Sequence, residues 1–84
     1  MDAQALRILI REKLDDGRLP YGSASTVWGS PGDGETCDAC RMTITKGQLL
    51  MDGAARAGKR NRSVQLHVAC FEVWNEERRM RKTA

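Results

Sequence analysis

The sequence predicts a small α+β domain, on three observations. The three cysteines and the only histidine fall into two tight pairs, Cys37/Cys40 and His67/Cys70. Between the pairs lie 26 residues, 41–66, with strand-like character. At either end of the chain, apolar residues recur at helical spacing. The 84 residues allow one domain, 1–84. A chain of that length buries only about 60–65% of its unfolded surface, so a staple is expected to supplement the core.

The first element is a helix over residues 3–16. Leu6, Leu9, Ile10 and Leu14 form one apolar stripe, Asp2 is placed to cap its start, and Gly17 to end it in a left-handed turn. Pro20 follows as a stop. The stripe needs a surface to bury against, so the helix is expected to dock on the second half of the chain. Residues 17–36, rich in Gly, Ser and Pro, read as an extended linker, with Trp28 as an anchor pinning it to the core.

Residues 37–82 form the second part. Cys37-Asp38-Ala39-Cys40 opens it. Residues 43–66 then read as a β-hairpin, with a turn or bulge near Gly47 and a long basic tip within Ala54–Arg62. Ser63–Val68 alternates with period two, as a half-buried strand does. From about His67 to Arg81 the chain reads as a helix, with His67, Cys70, Phe71, Trp74 and Arg78 on one face. Glu77 and Arg81 are spaced as a helical ion pair.

The two pairs have the chemistry of a metal site. Cysteines two residues apart can turn both sulfurs to one point, and His67 and Cys70 face the same way on a first helical turn. Each pair is half of a tetrahedron, which predicts one structural zinc ion held by Cys37, Cys40, His67 and Cys70. Two other readings compete: the cysteines as small buried hydrophobes, or Cys37 and Cys40 as a redox pair. A shell closed by four protein ligands has no open position for catalysis, and no second histidine or phosphate-binding loop accompanies it. No enzyme activity and no small-molecule substrate are therefore expected.

The net charge of +3 is unevenly placed. Residues 1–36 carry four Lys/Arg against six Asp/Glu, and residues 37–84 carry ten against five. The basic half favours anionic partners, nucleic acid above all, through Arg56, Lys59, Arg60 and Arg62 at the hairpin tip and Arg78, Arg79, Arg81 and Lys82 at the helix end. The alternative is a protein-interaction or regulatory adaptor, with the acidic half and the Trp28 region as a partner or homodimer surface. No run approaches the roughly 18 apolar residues of a membrane span, and the start of the chain lacks a secretory pattern. The reducing cytoplasm is the expected compartment, where such cysteines bind metal more than they form disulfides.

The Cys37-x2-Cys40 pair, the following Ile44, Lys46-Gly47 and Leu49, and His67-x2-Cys70-Phe71 resemble the zinc finger of the poly(ADP-ribose) polymerase type. The resemblance covers residues 37–74 and implies the same four ligands. The spacer is slightly shorter than is usual in that family, and its DNA-end-stacking residues have no counterpart here. Knuckle, hairpin and helix in succession also look like a treble clef. The ITKGQL and LHVACF stretches resemble those of small bacterial proteins.

Overall fold

A computed structural model describes residues 2–22 and 24–82, with the side chains of 24–26, 81 and 82 outside the description. Helix α1 (Ala3–Asp15) starts where Asp2 Oδ1 accepts the Ala5 N–H at 2.8 Å. It ends where Gly17 takes a φ of +82°. Leu6, Ile10 and Leu14 are buried on its inner stripe, and Leu9 is half-buried.

The linker expected over 17–36 is in part a strand. β1 (Ala24–Pro31) pairs antiparallel with β4 (Leu49–Ala57), which pairs antiparallel with β5 (Arg60–His67), giving the order β1-β4-β5. Thr26, Val27 and Trp28 favour a strand in themselves, and backbone pairing with β4 carries it on through Gly29, Ser30 and Pro31. Trp28 is not an anchor. It is 56% exposed on β1, opposite Asp52. The long loop expected at the hairpin tip is also corrected: β4 and β5 run on to Ala57 and Arg60 and join through Gly58-Lys59. Gly58 has a φ of +66° while Lys59 does not share the left-handed region, the backbone of a type II′ turn.

A second, two-stranded sheet pairs β2 (Glu35–Thr36) with β3 (Thr43–Ile44) around the Cys37–Cys40 turn. Helix α2 (Val68–Lys82) packs on β4 and β5, and α1 packs on α2. The core gathers Leu6, Ile10, Leu14 and Leu19 with Val64, Leu66 and Trp74, and it includes Cys37 and Cys70. Trp74 is fully buried and donates its Nε1–H to Pro20 O at 2.9 Å. The expected Glu77–Arg81 pair falls on a side chain, Arg81, outside the described residues, but Glu77 has other partners. It is buried and accepts from Arg7 and Arg11 of α1, which clamps the two helices together.

Candidate metal centre

The backbone that carries the first ligand pair is fixed by four hydrogen bonds. Cys37 N–H donates to Met42 O and Arg41 N–H donates to Cys37 O, both at 3.0 Å, which folds Cys37–Met42 into a tight knuckle between β2 and β3. Closing the knuckle places Arg41 at φ +68°, the one left-handed non-glycine among the described residues. Asp38 then straps the knuckle to β5: its N–H donates to Gln65 O at 2.9 Å, and its Oδ2 accepts the Gln65 N–H at 2.8 Å. Gln65 lies two residues before His67, so this strap sets one ligand pair against the other.

The second pair departs from expectation in one respect. His67 is the last residue of β5 and is not part of the helix, whereas Cys70 is the third residue of α2. The ladder holds His67 opposite Leu50, so the strand persists through it. The junction still brings both side chains to one point. The donor atoms of Cys37, Cys40, His67 and Cys70 all lie within 4.8 Å of one another, close enough to hold a metal ion. Cys40 Sγ is 3.4 Å from His67 Nδ1, and Cys70 Sγ is 4.0 Å from it. His67 Nε2–H faces Thr43 O and Gln48 Oε1, each at 3.2 Å. Donation there leaves the Nδ1 lone pair for the metal, the outer-shell arrangement that fixes a ligating imidazole.

The three thiols are free, and none forms a disulfide. The Cys70 hydrogen bond holds the Cys37 thiol well below its usual range, at about 4, while Cys70 is pushed up by that same partnership and by burial. Cys37 and Cys70 are buried, and Cys40 and His67 are half-buried beside a cleft lined by Leu6, Met42 and Ala69.

Lys13 completes the centre, and the sequence reading passed over it. Only 4% exposed, it donates its ammonium to Asp38 O at 2.9 Å and Ala39 O at 2.6 Å, the two carbonyls between Cys37 and Cys40. Burial, then the charges of Arg18 and Arg41, lower its pKa. The signal was available: Lys13 stands beside Leu14 and three residues after Ile10, within the apolar stripe, where a charge requires a partner.

The cations expected to contact nucleic acid are not brought together as one patch. Arg56, Lys59 and Arg60 are exposed near the hairpin turn. By strand alternation Arg60 and Arg62 share the sheet face of Val64 and Leu66, whereas Arg56 points to the other face. Arg62 is exposed but donates to Gly17 O at 2.7 Å and Arg18 O at 3.3 Å. Arg78 is buried, against expectation: its guanidinium lies 5.4 Å from the Trp74 ring centroid and donates to Gly22 O and Asn75 Oδ1. That contact follows from the i, i+4 spacing on α2. Arg79 is exposed among Glu72, Asn75 and Glu76. The side chains of Arg81 and Lys82 lie outside the described residues.

No helix among the described residues is long and apolar enough to cross a membrane. Comparison with protein-family models, with curated proteins and with solved structures finds no match.

Proposed function

We propose that the chain is a structural zinc module without catalytic activity that binds nucleic acid through its basic hairpin. The donor set supports zinc. Three sulfurs and one imidazole nitrogen suit a tetrahedral ion, and four protein ligands close its shell. The succession of knuckle, hairpin and helix supports a treble-clef-like reading, in which the metal would substitute for core and leave function to the surface. The observation that carries the functional reading is the hairpin itself: a two-residue turn projects exposed Arg56, Lys59 and Arg60 on paired strands rather than on a loose loop. Cations on such a projection would meet phosphates and give salt-sensitive binding of low sequence preference.

The test is a titration of labelled single-stranded and duplex DNA with the zinc-loaded chain at about 50 and 200 mM salt, repeated with Arg56, Lys59 and Arg60 changed together to Ala. Binding that falls steeply with salt and weakens in the triple variant supports the proposal. No binding at the lower salt refutes it.

A protein partner or a second copy of the chain is the alternative, favoured by one observation. β1 is an edge strand with exposed Val27 and Trp28, and it carries no charged residue over Ala24–Pro31. Uncharged edges are open to pairing with another strand. Sedimentation of the wild type against Val27→Lys separates this reading, which requires a dimer, or a captured partner, that the lysine abolishes.

A further inference from the structure

The knuckle side of the molecule has a cationic groove that the hairpin reading does not use. Leu9 and Lys13 of α1, Arg18 beyond its end, Asp38, Cys40 and Arg41 of the knuckle, and Arg62 of β5 line about 700 Å³. Four cations from separate parts of the chain therefore meet one acidic side chain. That carboxylate is already engaged, since Asp38 Oδ2 accepts the Gln65 N–H. A zinc-loaded Cys3His cluster would add about −1 and Asp16, paired with Arg18, another −1, so the groove keeps a net positive charge of roughly +1. The same crowding acts on Lys13: after burial, the charges of Arg18 and Arg41 are the next causes that lower its pKa.

Two further observations point to Arg41. Its side chain is exposed and meets no hydrogen-bond or ionic partner among the described residues, whereas Arg18 has Asp16 and Arg62 has two carbonyls. Its backbone is also in the left-handed region, at φ +68°, where glycine is the default and a long side chain is strained. An arginine at that position forgoes the relaxed choice and places a guanidinium at the groove. Strain kept at one residue is the kind of outlier from which a binding role can be argued.

We propose that this groove binds the phosphodiester backbone of nucleic acid, with Arg41 as its principal phosphate contact and Arg60, on the same face of β5 as Arg62, extending the track to the hairpin turn. The proposal rests on the nucleic-acid reading and moves its centre from the hairpin tip to the knuckle.

The experiment uses the zinc-loaded full chain and a fluorescein-labelled 20-nucleotide DNA, single-stranded and duplex, read by anisotropy at about 50 mM salt. Arg41→Glu is compared with Lys46→Glu, an equal charge change at an exposed cation of the β3–β4 turn outside the groove. Arg41→Glu is expected to weaken binding at least tenfold and to lower the salt slope by about one, and Lys46→Glu to weaken it less than threefold. Arg41→Gly separates binding from folding. It relaxes the left-handed backbone, so it is expected to melt no lower than the wild type while losing at least fivefold in affinity. Equal effects of the two Glu variants would reduce the interaction to net charge and overturn the groove. Binding lost in the Arg56/Lys59/Arg60 triple variant but unchanged in both Arg41 variants would leave the hairpin reading standing and the groove refuted. Failure of the wild type to bind either DNA would overturn both.

Discussion

Replacing Lys13 by Met tests whether α1 is part of the metal centre or only its cover. The ammonium makes two charge-assisted hydrogen bonds, to Asp38 O and Ala39 O. Such bonds contribute about 1.5–3 kcal/mol each. The burial that lowers the Lys13 pKa works against them, because a cation was removed from water to form them. Met keeps the length and apolar body of the stem but leaves both carbonyls without this donor. The net loss is about 2–3 kcal/mol, which for a domain of this size lowers Tm by roughly 10–20 °C. The carbonyls flank the ligand pair, so zinc affinity should fall about 10–100-fold, as when other outer-shell partners are removed. Urea unfolding of the zinc-loaded protein measures the first effect, and competition with a chromogenic chelator measures the second. A variant within about 0.5 kcal/mol of wild type that holds zinc equally well would show that the lysine merely fills space.

Metal removal should be more severe. Structural zinc sites contribute about 10–16 kcal/mol of apparent binding energy, at or above the 5–15 kcal/mol stability of an ordinary domain. Native mass spectrometry should show one zinc, and chelation should abolish the near-ultraviolet signal of buried Trp74; an apoprotein with an unchanged signal would refute the structural role. Glu77→Gln should cost about 1–2 kcal/mol at neutral pH, a figure discounted for the partial exposure of Arg7 and Arg11. The Arg11 hydrogen bond, then that of Arg7, hold the Glu77 carboxyl below its usual range against the opposing effect of burial. Its stabilisation is therefore complete above the unfolded carboxylate value of about 4.3 and is lost as pH falls through the lower folded value. The Gln variant should lose less stability across that acid window, and parallel pH curves for the two proteins would contradict the clamp. Gly32→Ala should cost about 1–3 kcal/mol, because a Cβ there would run into Thr45 O and Ile44 Cγ2; thermal melting reads the outcome.

The parts of the fold written in local signals were legible. Asp2 and Gly17 bracket α1 as their cap chemistry requires, and the stripe of Leu6, Ile10 and Leu14 is buried. The four side chains of the candidate metal site were legible from spacing alone, because two-residue gaps constrain sulfur and nitrogen whatever the long-range structure does. What escaped was non-local. Gly29, Ser30 and Pro31 have linker composition and become strand through β4, some 20 residues away in sequence. Ala54, Ala55 and Ala57 are too small to show an alternating pattern, so the strands around the Gly58-Lys59 turn read as loop. Arg78 read as a surface cation because charge at a helix end is ordinarily solvated. Its guanidinium instead covers Trp74 one turn earlier on α2.

The charge of a zinc-loaded cluster would explain why an apolar stripe contains a lysine. Zinc held by three thiolates would carry about −1, and with Cys37 and Cys70 buried that charge would sit mostly within the core. An uncompensated charge there would be costly, and its balancing cation has to come from a neighbouring element, because the knuckle itself offers only Arg41, which faces solvent. α1 supplies Lys13, and the apolar residues around it hold that ammonium against the Asp38 and Ala39 carbonyls. The helix that relies on this module for burial would thus supply it with the balancing charge. The same contacts hold the knuckle that presents Arg41, so Lys13→Met should weaken the groove's hold on DNA as well as the chain's hold on zinc. Restoring saturating zinc should recover both together if the knuckle is their common support; recovery of zinc binding without DNA binding would assign Lys13 a direct part in the groove.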